Sequence, residues 1–282
     1  MRLKSLHDES LATIHAAFIA AFSDYSVRIE LPYERFLEHL RGRDIRLADS
    51  FGVYHETGRL IGFVLNGLRE RDGVTTGYDG GTGFLPAYRG QGLAALLFAE
   101  MQKELVRRQV RRYLLEVIRD NQPALRLYQK LGFTVTRNLN CYQWQRSAAP
   151  APPVPEELHL AELDLAALDR YQHWLDYQPT WQNATPSILN LKDRYQGLRI
   201  MLGQREVGYA VIHREYGDLP QLGLAEELRR ERLPLLGMLA PYTRSAVLKA
   251  INVEEGSYLG PWLIGQGMQG HVDQYEMAKD LG

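Results

Sequence analysis

Apolar residues recur at helical spacing over residues 11–22 and again over 33–40, a pattern that predicts two helices. Two apolar runs at 50–54 and 60–68 follow, joined by a Glu-Thr-Gly turn, and read as strands. Residues 73–85 read as a turn and then a further strand. Leu93, Leu96, Leu97, Met101 and Leu105 fall on one face of a helix over about 91–108. Residues 113–118 form a continuous apolar strand interrupted only by Glu116. Asn121 then caps a short helix, with Pro123 in the first turn, where a missing N–H costs nothing, and Gly132 ends it. A last strand opens at 133–135 and continues near 142–144. The pattern predicts an α/β domain with a mixed sheet.

The stretch 147–155 breaks the pattern. Its four prolines among small residues cannot build a helix or a central strand, and they read as an extended, stiff linker. The expected domains are therefore 1–146 and 156–282. A length of 282 residues suits two domains. With 45% hydrophobic and 24% charged residues, the composition excludes a disordered chain, a collagen and a coiled-coil rod. The apolar run at 11–22 is too short for a membrane span and poor as a signal peptide, so a cytoplasmic protein without membrane attachment is expected. Cys141 is the single cysteine, which excludes an internal disulfide or a cysteine zinc cluster. The net charge of −1 hides an asymmetry: residues 1–146 hold 21 basic and 16 acidic side chains, the rest 12 and 18. The basic half suits an anionic ligand, but it lacks the dense basic patch with interleaved aromatics that nucleic acid requires.

Two stretches carry candidate chemistry. In Phe84-Leu-Pro-Ala-Tyr-Arg-Gly-Gln-Gly-Leu-Ala94 a strand ends, the chain turns through Arg89, Gly90, Gln91 and Gly92, and a helix begins at Leu93 and Ala94. Glycines let backbone amides approach a ligand, and a helix N-terminus offers free N–H groups and a positive dipole end, a place for a pyrophosphate. It is neither a P-loop nor a Rossmann fingerprint, and a plain strand–helix turn accounts for it equally. In the second stretch Glu116 puts a carboxylate inside an apolar strand, either as a functional group or as the partner of an arginine. Asn121 and Tyr128 lie two helical turns apart and so face one side. No metal-spaced histidine cluster and no serine-hydrolase elbow appear, so no metal is expected.

These stretches resemble the GCN5-related N-acetyltransferases (GNAT). The family's Arg/Gln-x-x-Gly-x-Gly/Ala loop is matched by Arg89, Gly92 and Ala94. Its later Asn-x-x-Ala-x-x-Leu-Tyr-x-x-x-Gly-Phe pattern is matched by Asn121, Ala124, Leu127, Tyr128, Gly132 and Phe133. The Leu115-Glu116-Val117 strand looks like that of ribosomal-protein alanine acetyltransferases. The resemblance covers about 1–146. It implies acetyl-CoA as acetyl donor, with Phe84 and Leu85 on the strand beside the pantetheine arm and the following loop around the pyrophosphate. It further implies a primary amine as acceptor, from a small molecule or a protein N-terminus. The implied base is Glu116, with Asp79 as its rival, and the implied acid is Tyr128. Asp24 and Tyr25 are acceptor-site candidates, with helix capping as the alternative. A non-catalytic acetyl-CoA-binding module and a transferase for another acyl-CoA stay open, as does a homodimer.

The second half can be laid on the first. Residues 223–233 align with 83–93, so Arg229 matches Arg89 while Arg230 and Arg232 replace Gly90 and Gly92. Residues 251–257 align with 115–121, so Asn252 stands for Glu116 and, further on, Ile264 for Tyr128. The expected architecture is thus α/β (α+β): two GNAT-like domains, each a mixed, mostly antiparallel sheet flanked by helices, the second without a cofactor site.

Overall fold

The structure, a computed structural model, describes residues 1–24, 31–146, 153–231 and 233–282. The expected linker thus lies largely outside the described residues. In chain order the first elements are β1 (Arg2–Ser5), α1 (Leu11–Ala21), α2 (Tyr33–Gly42), β2 (Phe51–Tyr54), β3 (Leu60–Arg71), β4 (Val74–Phe84), α3 (Leu93–Arg107), β5 (Arg112–Ile118), α4 (Gln122–Lys130) and β6 (Thr134–Gln145). They are followed by β7 (Leu158–Leu163), α5 (Thr185–Asn190), β8 (Tyr195–Leu202), β9 (Arg205–His213), β10 (Gln221–Leu224), α6 (Glu226–Arg230) and α7 (Leu235–Leu239). The chain closes with β11 (Val247–Glu254), α8 (Leu259–Gly265), β12 (Gln269–Gly270) and β13 (Gln274–Asp280).

Contacts divide the chain into two compact units. One comprises Met1–Thr136 with Glu276–Gly282, the other Arg137–Tyr275. The division follows strands rather than the Pro/Ala stretch at 147–155, because sheet hydrogen bonds, not covalent proximity, decide which residues pack together.

In the first unit β1 to β4 pair antiparallel in sequence order, and β4 pairs parallel with β5. The far edge of β5 is covered by β13, the chain's own C-terminal strand. Leu281 N–H donates to Arg111 O at 2.8 Å, and Met277 and Ala278 are buried. A sheet of this kind is mixed and mostly antiparallel, as expected. Its α1–α2 face is a cluster built on Ile14, Phe18, Phe36, Phe63 and Leu65. On α3 the buried stripe is Leu93, Leu97, Phe98, Met101 and Leu105. Leu96, expected in that stripe, is more than half exposed, and Phe98 fills its place against Tyr113 and Phe133.

The second unit repeats the plan. Strands β7 to β10 pair antiparallel in order, as β1 to β4 do. A parallel bridge between Asp218 and Lys249 leads into β11, the counterpart of β5. The outer edge of β11 is covered by β6, whose residues from Arg137 onward belong to this unit.

Met277 is fully buried in the strand that covers the far edge of β5. Met277→Ala is expected to lower stability by about 2–5 kcal/mol. Urea unfolding measures it, and an unchanged midpoint would refute the structural role of β13.

Candidate active site

The site begins with a failure of pairing. The β4–β5 ladder covers Thr76↔Arg112 to Asp79↔Leu115 and goes no further, although β4 continues to Phe84 and β5 to Ile118. At that point β4 carries a bulge. Its register against β3 shifts between Leu65↔Gly81 and Asn66↔Asp79, leaving Gly80 without an opposite residue. A bulge bends its strand and increases the local twist, which carries β4 away from β5.

The bulge is held from both sides. His39 of α2 places Nε2 2.6 Å from Gly80 O. A carbonyl only accepts, so Nε2 carries the proton. Burial and the nearby Arg43 hold the ring's pKa well below 6.5, which keeps it neutral. Asp79 holds the bulge from within the strand: Gly81 N–H donates to Oδ1 at 2.9 Å and the Thr82 hydroxyl to Oδ2 at 2.6 Å.

Beyond the bulge β4 presents an open edge. Leu85 N–H donates to Ile61 O at 2.9 Å. Alternation along an antiparallel pair then turns the N–H groups of Phe84 and Thr82 away from β3. The Phe84 carbonyl accepts from Arg89 Nε at 3.1 Å. The chain continues through Gly90 (φ 73°) and Gly92 (φ 76°), both left-handed with open space where a Cβ would stand. Gly92 is the N-cap of α3, and no side chain caps that helix. Its first-turn amides at Leu93 and Ala94 thus face outward with the positive end of a fifteen-residue helix.

The arginine of this loop points elsewhere. Arg89 forms a two-pronged ion pair with Asp24 at 2.8 and 2.9 Å and donates to Ala21 O at the end of α1. That pair holds the Asp24 carboxyl below its usual range. The loop's free donors are therefore backbone amides, and Gln91 is turned onto Ala87 O at 3.0 Å. Asp24 is a partner of Arg89, while Tyr25 lies outside the described residues. Asn121 caps α4 by accepting from Ala124 N at 3.2 Å.

The two candidate carboxylates lie on opposite faces of the sheet. Tyr78 and Asp79 are consecutive on β4 and so point opposite ways. Tyr78 faces α2: its hydroxyl donates to Glu116 Oε2 and it is hydrogen-bonded by Arg43. Burial and the Glu116 charge push the Tyr78 pKa well up. Glu116, the first residue of β5 past the ladder, is thereby placed on the α1–α2 face. Asp79 faces α3 and α4, where Tyr128 Oη lies 3.4 Å from Oδ2 and the Tyr128 ring packs on Phe98 and Phe133. Burial raises the Asp79 pKa to about 6, against the opposing hydrogen bonds from Thr82, Gly81 and Tyr128. The structure thus gathers Glu116, Asp79 and Tyr128 at the apex of one wedge, with Phe84 to Ala94 along its rim. His39, Tyr78 and Thr82 were not anticipated. Tyr78 was legible in principle from its place beside Asp79, whereas no local signal marks His39.

Residues 13–133 match the acetyltransferase (GNAT) family. The first unit is a GNAT domain. Solved structures extend the likeness in fold to the whole chain. A GCN5-related N-acetyltransferase from Sphaerobacter thermophilus is 14% identical, covers 99% of this chain and 95% of its own, and has a TM-score of 0.72. A tandem GNAT protein from the clavulanic acid biosynthesis pathway is 14% identical over 100% and 99%, with a TM-score of 0.71. A putative acetyltransferase from Pyrococcus horikoshii is 14% identical over 99% and 89%, with a TM-score of 0.68. No curated protein sequence matches the chain. Among the described residues no His, Cys, Asp and Glu group could hold a metal, and no helix is long and apolar enough to cross a membrane.

The second unit has the same wedge position, filled from within. Ala225 N–H donates to Val207 O at 2.9 Å, which turns Leu224 N–H outward as at Phe84. There it donates to the Tyr258 hydroxyl at 2.9 Å, and that hydroxyl donates to Trp174 O at 2.8 Å. Arg229 Nε donates to Leu224 O at 2.9 Å, the bond Arg89 makes to Phe84, and its guanidinium lies 3.7 Å from the Tyr258 ring centroid. The five-residue α6 replaces the fifteen-residue α3. Ile264, aligned with Tyr128, is exposed.

His39→Leu removes the donor to Gly80 O and is expected to cost about 1–3 kcal/mol, with His39→Gln costing less. The unfolded chain takes up a proton on His39 near pH 6.5 while the folded one does not, so this residue's contribution falls as the pH drops below that value. Urea melts of both variants from pH 7.5 to 5.5 measure it; equal pH slopes for wild type and His39→Gln would refute the neutral-donor role.

Proposed function

We propose that the GNAT unit transfers an acetyl group from acetyl-CoA to a primary amine by direct attack, with Glu116 as base and Tyr128 as acid. The observation that carries this reading is the open edge of β4 running into the uncapped N-terminus of α3. Outward N–H groups at Thr82 and Phe84 suit the amides of an extended pantetheine arm, and the amides of Gly92 to Ala94 suit a pyrophosphate. The residues therefore fit the donor, whose thioester would lie at the apex of the wedge and supply the acyl group.

Glu116 stands on one face of the sheet and Tyr128 on the other. An amine must be neutral to attack, so a carboxylate on its own side has to take the proton. Glu116 does this from the α1–α2 face, oriented by the Tyr78 hydroxyl, which Arg43 in turn hydrogen-bonds. The departing thiolate needs a proton on the other side, and Tyr128 can donate one. Outward N–H groups past the bulge oppose the negative charge that gathers on the carbonyl oxygen. The acceptor is an amine of a small molecule or of a protein N-terminus.

The second unit, in this reading, holds no acyl-CoA, because Tyr258 already satisfies the amide that a pantetheine would meet. One acetyl-CoA is expected per chain by calorimetry. A thiol-release assay over an amine panel is expected to show Glu116→Gln and Tyr128→Phe slowed by about 10²–10⁴-fold with donor affinity retained. Full turnover in both variants would overturn the assignment. Tight binding without turnover on any amine would point to a binding module, and turnover only with longer donors to another acyl group.

A further inference from the structure

Three observations about Asp79 are left over once Glu116 is the base. Its carboxylate is buried, with 7% exposure, although a buried carboxylate is costly. It accepts from Gly81 N–H and from the Thr82 hydroxyl, the two residues that follow the bulge. Its Oδ2 is also the acceptor for Tyr128 Oη at 3.4 Å, on the face opposite Glu116. A neutral side chain could satisfy the two donors of the bulge; a negative charge adds something where it faces a phenol that must keep its proton.

We propose that Asp79 is a positioning residue for the acid: it holds the Tyr128 hydroxyl beside the point where β4 leaves β5 and keeps it protonated until the thiolate forms. This rests on the reading of Tyr128 as the acid. Before reaction the phenol donates to Asp79 Oδ2. As the C–S bond breaks, the electron pair goes to sulfur and the Tyr128 proton follows it, giving the free thiol. The resulting phenolate faces the Asp79 carboxylate, and the like charges drive it to regain a proton from solvent. The groups facing Asp79 are Tyr128 from α4, Tyr113 from β5, and Thr82 and Gly81 from its own strand. Burial pushes the Tyr113 pKa well up and its hydroxyl donates to Asn66 Oδ1, so among the described groups facing Asp79 the carboxylate supplies the negative charge beside Tyr128.

The test is a pH–rate profile of acyl transfer. Asp79→Asn keeps the shape and removes the charge. It is expected to lower kcat at least tenfold with the donor KM within about twofold, and to move the alkaline limb to lower pH, since Tyr128 then loses its proton more readily. The acidic limb near pH 6 should flatten, because that is where Asp79 takes up a proton. In a Tyr128→Phe background Asp79→Asn should have no further effect on kcat. If Asp79→Asn does not fold, Thr82→Val serves: it removes a hydrogen bond that lowers the Asp79 pKa, so the acidic limb should move to higher pH. Unmoved limbs, or additive losses in the double variant, overturn the proposal. Full activity of Tyr128→Phe alone overturns the acid assignment beneath it.

Discussion

Everything at this site depends on the obligation of backbone amides to find partners, and on the one place where the sheet leaves them none. For four residue pairs β4 and β5 satisfy each other. At Gly80 the bulge bends β4 away, and the next outward amides have no strand to meet. Elsewhere in a sheet such an edge would be covered, as β13 covers β5 and β6 covers β11. Here the donors stay open, next to a helix that no side chain caps. A deliberate gap in the hydrogen-bond accounting of this kind is what an extended amide-bearing ligand requires.

The two units make an internal comparison. Both retain the arginine that bonds the carbonyl at the end of the fourth strand, Arg89 to Phe84 and Arg229 to Leu224. Only the first retains the positive-φ glycines and the long helix. An arginine shared by both units, only one of which has the glycine turn, serves the fold by tying the turn after the strand to the segment that precedes it. In the second unit the Tyr258 hydroxyl takes the amide that would otherwise be orphaned. The polar obligation persists whether or not a ligand meets it.

Helices and strands of the first unit were legible because their apolar spacing is regular and their caps are explicit, Asn121 most clearly. The loop from Arg89 to Ala94 was legible because glycines at left-handed turns leave a composition signal. What remained hidden was non-local. Nothing near Gln274 to Asp280 says that this strand belongs with β5, since that is decided by pairing across most of the chain. Leu96 and Phe98 could not be told apart by spacing alone, because the stripe on α3 is set by what the sheet presents. The same holds for His39, whose role depends on a bulge made forty residues later.

Charge was the least reliable guide. The basic excess of residues 1–146 suggested side chains waiting for an anion, yet the arginines nearest the relevant turns are already engaged. Arg89 is paired with Asp24, Arg69 with Asp44, and Arg46 and Arg108 with the buried Asp49. Any attraction of this loop for an anion would then come from aligned amides and the end of the α3 dipole, equivalent to about half a charge. Such a loop owes its open amides to the shape of the backbone, and the second unit carries Arg230 and Arg232 at the positions aligned with Gly90 and Gly92.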